Sequence, residues 1–235
     1  ADSFLAAGHV VSGCDVRSDA VASIKEAHPE IHAFEANMGR PADVEQFIGA
    51  SLKALGGVDF LINVVGISGP TAATEDVSLE EWQTSLDVNL TAIFLTCKLV
   101  LPELKRQKFG GIVNFSTGST RTLLPNRSPY VVSKFAVEGL TRNLARELGP
   151  FGIRANAILP GAINNDRMRT IIERVANTRG GSAEQAAEDL LQYVSMRTMI
   201  EPQELADMIV FLCSDQARHV SGQLIGVDGH LEWEQ

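Results

Sequence analysis

Tyr130 and Lys134 stand four residues apart in the stretch Tyr130-Val131-Val132-Ser133-Lys134. On a helix, residues i and i+4 share a face, so this spacing holds a phenol near an ammonium. A free phenol with a pKa of ~10 is about one part in a thousand ionised at neutral pH, too little for an effective general base. Bringing it to ~7 takes roughly 4 kcal/mol, and a cation ~4 Å away at an effective dielectric of ~20 supplies about that much. The pair can therefore build a proton-transfer group, although Tyr and Lys at this spacing also suit an ordinary helix surface. Three further polar sets lie upstream: Ser116-Thr117, Asp87-Val88-Asn89-Leu90 and Asn63-Val64-Val65-Gly66.

Positioning these groups requires a frame of alternating elements. Short runs rich in Val and Ile, bounded by Gly, Asp, Asn or Pro, predict strands at His9–Cys14, Ile31–Glu35, Val58–Val64, Gly111–Ser116, Ile153–Leu159 and Gln223–Val227. Between them, Ser78-Leu79-Glu80-Glu81 reads as a capping box opening a long helix to about Gln107. Ser128-Pro129 reads as N-cap and first-turn Pro of another helix. That helix carries an i,i+4 stripe of Val132, Ala136, Leu140, Leu144 and Leu148 and is stopped by Gly149-Pro150. Pro41 and Pro202 open two more, and Ala1–Ala7 reads as a helix end closed by Gly8. Such alternation predicts an α/β fold, a doubly wound parallel sheet with helices on both faces. No repeat or linker divides the 235 residues, which read as one domain. Residues 162–200 form a long helix-prone insertion above the sheet, carrying Arg167, Arg169, Arg174, Arg179 and Arg197. It reads either as a substrate lid or as a solvated helical pair.

Composition excludes several classes. With 20 basic and 29 acidic residues the net charge is −9, which argues against a nucleic-acid binder. No run of about 18 apolar residues points to a membrane span, and no signal peptide opens the chain. Cys14, Cys97 and Cys213 are odd in number and far apart, which fits a reducing cytoplasm and no disulfide framework. The histidines show no ligand spacing, so no metal site is expected. Trp82 and Trp233 read as packing or interface residues.

The Tyr130/Lys134 pair, the Asp87-Val88-Asn89 motif, the Leu159-Pro160-Gly161 turn and the ending Ser221-Gly222-Gln223…Val227-Asp228-Gly229 together resemble the short-chain dehydrogenase/reductase family, from Gly8 to Gly229. The resemblance implies a Rossmann-type fold and hydride transfer between a nicotinamide dinucleotide and an alcohol or carbonyl substrate. Tyr130 would be the general acid/base, and Lys134 would lower its pKa and bind the nicotinamide ribose. Thr117 would fill the family's serine position and orient the substrate oxygen, while Asn89 would hold a water behind Lys134. Thr keeps the hydroxyl but is stiffer than Ser, and Ser116 remains an alternative. Asn63-Val64-Val65-Gly66 keeps only the outer residues of the family's Asn-Asn-Ala-Gly turn, and Asn165 replaces a usual Thr. A further strand with a Gly-rich turn is expected ahead of Ala1, in roughly 20–25 residues, and would lie between His9–Cys14 and Val58–Val64.

The same resemblance assigns cofactor contacts to Asp15, Val16, Asn37, Met38, Asn63, Gly66, Tyr130, Lys134, Pro160, Gly161 and Ile163. An acid at Asp15 accepts ribose hydroxyls and repels a 2′-phosphate, which favours NAD, whereas Arg17 nearby suits NADP. The lid arginines permit an anionic substrate. Homotetramers or homodimers are implied, with contacts along Trp82–Gln107 and Ser128–Leu148. Alternatives are an NADP-dependent carbonyl or 3-oxoacyl reductase, or a cofactor-binding protein without turnover.

Overall fold

A computed structural model describes residues 1–231, so Trp233 lies outside the described residues. All of the expected strands form, within one to three residues of the expected ends. In chain order they are β1 (Ser12–Asp15), β2 (His32–Glu35), β3 (Phe60–Asn63), β4 (Gly110–Phe115), β5 (Ile153–Pro160) and β6 (Leu224–Val227). The helices that matter for the site are α1 (Asp2–Ala6), α2 (Ser18–Ala27), α3 (Pro41–Leu55), α4 (Leu79–Leu86), α5 (Ala92–Gln107), α6 (Ser119–Thr122), α7 (Ser128–Leu148), α8 (Asp166–Arg179), α9 (Ala183–Leu191) and α10 (Pro202–Cys213).

All strand pairs are parallel, as the strand–helix alternation requires. They form two ladders, β1-β2 and β3-β4-β5-β6, where the sequence reads as a single sheet. Among the described residues no strand lies between β1 and β3. Successive residues of β4 serve opposite faces. Ile112 packs with α3, α5 and α7 through Val44, Ile48, Val100, Leu104 and Leu148. Val113 packs with Leu205, Ile209 and Leu212 of α10. This alternation is what makes the sheet doubly wound.

The Ser78 capping box is present: its side chain accepts the Glu81 N–H, and Glu81 returns a bond to the Ser78 N–H. The helix it opens is not uniform, because residues Asp87–Thr91 form a π-helical turn between α4 and α5. The run Leu79–Gln107 is long and apolar enough to cross a membrane by length and composition. Here its Ile93, Cys97, Val100 and Leu104 face is buried in the core.

Two expectations about α7 are corrected. Ser128 is the first helical residue rather than the cap, which is Arg127, and no side chain caps this end. The apolar stripe is only half right, since Val132 is 44% exposed. The buried face runs through Ser133, Lys134, Val137, Glu138, Thr141, Leu144 and Leu148. Polar residues fit there because each finds a partner, which hydrophobic periodicity cannot register.

One such network lies under the site. Asn63 donates to Asn114 Oδ1 at 2.9 Å, and Asn114 donates to Thr141 Oγ1 at 2.9 Å. Thr96 donates to Asn63 Oδ1 at 2.8 Å, so β3, β4, α5 and α7 are pinned together. Replacing Asn114 with Ala should leave buried partners unpaired at about 1–3 kcal/mol each. Urea denaturation should show this as a lower midpoint with an unchanged slope.

Candidate active site

The candidate residues gather at the carboxyl ends of β3, β4 and β5, where ligands bind in open α/β sheets. Burial of Lys134 organises them. Only 3% of it is exposed, and its Nζ donates to the Phe115 carbonyl at 2.8 Å, at the tip of β4. Burial, followed by the field of Arg167, pushes its pKa down to about 8. Below that value the amine carries its proton, so at neutral pH it is a buried cation.

Asn89 is fully buried in the π-helical turn. Its Nδ2 donates to Ile67 O at 3.0 Å and to Ser133 Oγ at 3.1 Å, while its Oδ1 accepts the Ile67 N–H at 2.8 Å. Asn89 thereby fixes the loop after β3 against α7. A Cβ on Gly66 would come within 3.2 Å of both Asn89 Oδ1 and Lys134 Nζ, tight enough to displace one of them. The turn needs no side chain there, and it brings the backbone of the loop against both polar groups.

Tyr130 lies one helical turn before Lys134, whose Nζ is 6.0 Å from its ring centre. Ser133 Oγ donates to the Tyr130 carbonyl at 2.7 Å, coupling this turn of α7 to Asn89. Thr117 and Ser116 are clearly different. Ser116 Oγ donates to Glu138 Oε1 at 2.7 Å inside the core, whereas Thr117 Oγ1 accepts the Ser119 N–H at 3.2 Å in the loop beyond β4. Both residues are buried, and the Thr117 hydroxyl also donates to Ser119 Oγ at 3.3 Å, so the two hydroxyls differ in their partners. The Gly118 N–H bonds Pro160 O at 2.9 Å and holds this loop to the end of β5.

The residues assigned to a cofactor separate into two groups. Asp15, at the tip of β1, is exposed and accepts the Arg17 N–H at 2.9 Å; Val16 beside it is 60% exposed. Asn37 Oδ1 accepts the Gly39 N–H at 3.0 Å. Met38 is 7% exposed and joins the core with Val44 and Ile48, although it also lines a cavity of about 80 Å³ with Gly39, Asp87 and Leu95. Asn63 is committed to the network below the site, which leaves only the chain beyond it for a ligand. Gly161 abuts Asp228, where a Cβ would lie 2.8 Å from its Cα, so the Pro160-Gly161 turn admits no side chain. Ile163 packs on the cluster of Ile200, Leu205 and Ile209. Asn165 caps α8 by accepting the Met168 N–H at 2.9 Å. Among the described residues no group of His, Cys, Asp and Glu is placed to hold a metal ion.

Sequence reasoning passed over Ser133, Glu138 and Arg127. The guanidinium of Arg127 stands 5.0 Å over the Tyr130 ring. Its position three residues before Tyr130 was the only available signal.

The lowered pKa of Lys134 has a thermodynamic consequence. Between about 8 and the ordinary lysine value of 10.5 the unfolded chain binds more protons than the folded one. The penalty for burying the charge is thus full below about pH 8 and is relieved as pH rises through that window. Relative to a Lys134→Met variant, the native chain should gain stability between pH 8 and 10.5, by a few kcal/mol in total. Chemical denaturation at stepped pH measures the difference, and parallel curves would contradict it.

A family model described as "Enoyl-(Acyl carrier protein) reductase" matches residues 1–231. The Bos taurus protein "Dehydrogenase/reductase SDR family member 4" is 32% identical over 210 residues, covering 89% of this chain and 72% of that protein. The crystal structure of an actinorhodin polyketide ketoreductase variant with NADPH superposes with a TM-score of 0.90 at 26% identity, over 97% of this chain and 89% of that one. That of NAD+-bound xylitol dehydrogenase gives 0.83 at 25% identity, over 93% and 87%. By this similarity over the length of the chain, it belongs to the short-chain dehydrogenase/reductase family of nicotinamide-dependent oxidoreductases.

Proposed function

We propose that the chain is an NAD-dependent oxidoreductase interconverting an alcohol and a carbonyl compound, with Tyr130 as general acid/base. The observation that carries this reading is the buried Lys134 ammonium, held by the Phe115 carbonyl beside Asn89 and one helical turn from Tyr130. The surroundings fit a dinucleotide. The chain after β3 exposes Val64 and Val65, an apolar floor, and Gly66 leaves open backbone above Lys134. Asp15, Val16, Asn37, Gly66, Pro160, Gly161, Tyr130 and Lys134 would hold it. Such a cofactor supplies the acceptor or donor for hydride at the reacting carbon.

In the oxidation direction, Tyr130 takes the hydroxyl proton of the substrate as the carbonyl forms. A protonated Lys134 stabilises the phenolate, because its charge is screened little in a dry site. Thr117 donates its hydroxyl hydrogen to the substrate oxygen, and Asn89 holds the loop and the amine in register. Reduction is the reverse, with Tyr130 giving its proton to the carbonyl oxygen. Asp15 supports NAD over NADP: its carboxylate would meet a 2′-phosphate, and the same carboxylate holds Arg17, with Arg17 Nε 3.6 Å away. Exposed Phe94, Val132 and Phe135 on the two long helices support association into a homotetramer or homodimer, and the reducing compartment implied by the three free cysteines is the cytoplasm.

Tyr130→Phe should lower turnover by about 10²–10⁴-fold while NADH binding persists. If turnover is unchanged by Tyr130→Phe, the site does not use this acid/base. Fluorescence titration should show tighter binding of NADH than of NADPH, with the preference lost in Asp15→Ala; equal binding to the native chain would remove Asp15 as the selector.

A further inference from the structure

Two arginines from distant segments meet at Ser68, and one of them stands over Tyr130. Arg127 immediately precedes α7, and Arg167 lies in the first turn of α8. Both reach Ser68 on the loop after β3: Arg127 Nη2 donates to its carbonyl at 3.0 Å, and Arg167 Nη2 donates to its hydroxyl. Arg127 Cζ is 5.0 Å and Lys134 Nζ 6.0 Å from the Tyr130 ring centre, and Arg167 joins this pair of cations through Ser68.

None of these three forms an ion pair with a carboxylate among the described residues. Two other arginines of α8 do pair with carboxylates: Arg169 with Asp166 at 2.5 Å and Arg179 with Asp189 at 3.0 Å. Arg127 Nε is buried with no hydrogen-bond partner, and so is the neighbouring Ser128 hydroxyl. A buried donor left unmade and like charges held together both cost free energy, and one bound anion relieves both. Burial and the charge of Arg167 also depress the basicity of Arg127 and Lys134, the electrostatic mark of that crowding.

We propose that Arg127 and Arg167 form an anion subsite beside Tyr130, and that the substrate bears a carboxylate or phosphate a few bonds from the reacting carbon. This rests on the alcohol/carbonyl reading above and narrows its substrate class. The anion is a handle and takes no part in the redox step: hydride leaves the carbinol carbon for the nicotinamide, and the hydroxyl proton goes to Tyr130. A planar guanidinium fork suits either oxyanion, so the subsite selects charge and distance first.

The test compares three substrate sets with the full chain: short 2- and 3-oxo acids, their methyl esters, and polyol phosphates with their free polyols. At least one charged set should exceed its neutral counterpart in kcat/KM by about 10–100-fold, the scale of a charge-assisted contact, and mostly through KM. Which set does so identifies the carboxylate or the phosphate. Arg127→Gln and Arg167→Gln should each collapse that ratio, and Arg127→Lys should restore part of it. Equal turnover of charged and neutral partners overturns the subsite while leaving the oxidoreductase reading intact. Weakened NADH binding in the arginine variants, with the ratio unchanged, also overturns it by assigning the arginines to the cofactor. If no compound turns over, the oxidoreductase reading fails. Calorimetry with the oxo acids and polyol phosphates then decides the subsite alone: binding lost in the Gln variants keeps it, and no binding to the native chain removes it. Urea midpoints of each variant show that the folded chain is being compared.

Discussion

Keeping a charged amine out of water is the constraint on which the rest of this site depends. Lys134 is almost completely buried, and an ammonium there survives only with a strong acceptor aimed at it. The Phe115 carbonyl, freed at the end of the β4 ladder, supplies that acceptor. The tip of β4 and the second turn of α7 must therefore stay in register. The deep network of Asn63, Asn114 and Thr141 enforces this by tying strand to helix through hydrogen bonds. Its rigidity is directional, unlike that of apolar packing.

The π-helical turn at Asp87–Thr91 contributes a second polar anchor beside this amine. The widened turn places Asn89 where both ends of its amide meet the Ile67 backbone, and where it also reaches Ser133. Loop, helix α7 and the π-helical turn thus share one polar junction directly behind the Tyr130 and Lys134 turn. Gly66 completes it, because any side chain there would push on the amide or the amine.

Electrostatics sets the character of the outer wall. The molecule is acidic as a whole, yet the Tyr130 ring has cations from α7 and its entry beside it, and Arg167 of α8 reaches the Ser68 that Arg127 also holds. Two of these groups are partly stripped of water, where their fields are strong. The pair α8 and α9 is a small unit with its own apolar seam, Ile172, Ala176 and Ala186, and with capped helices, which holds Arg167 on a formed element.

Read without coordinates, the chain discloses its strands, the Ser78 capping box and the spacing of Tyr130 and Lys134, because each is a local property of a few neighbouring residues. Local pattern also assigns the fold, since alternating strands and helices have few ways to bury both faces of a sheet. It misplaces the buried face of α7, because Ser133, Lys134 and Thr141 look exposed until their partners on other elements are known. Nor can it separate Ser116 from Thr117, or Arg167 from the other lid arginines. Those distinctions depend on direction and on pairing across many residues of chain. Side-chain type and spacing along one element are written in the sequence; which polar group faces which, at what distance and with how much water, exists only once the chain has folded back on itself.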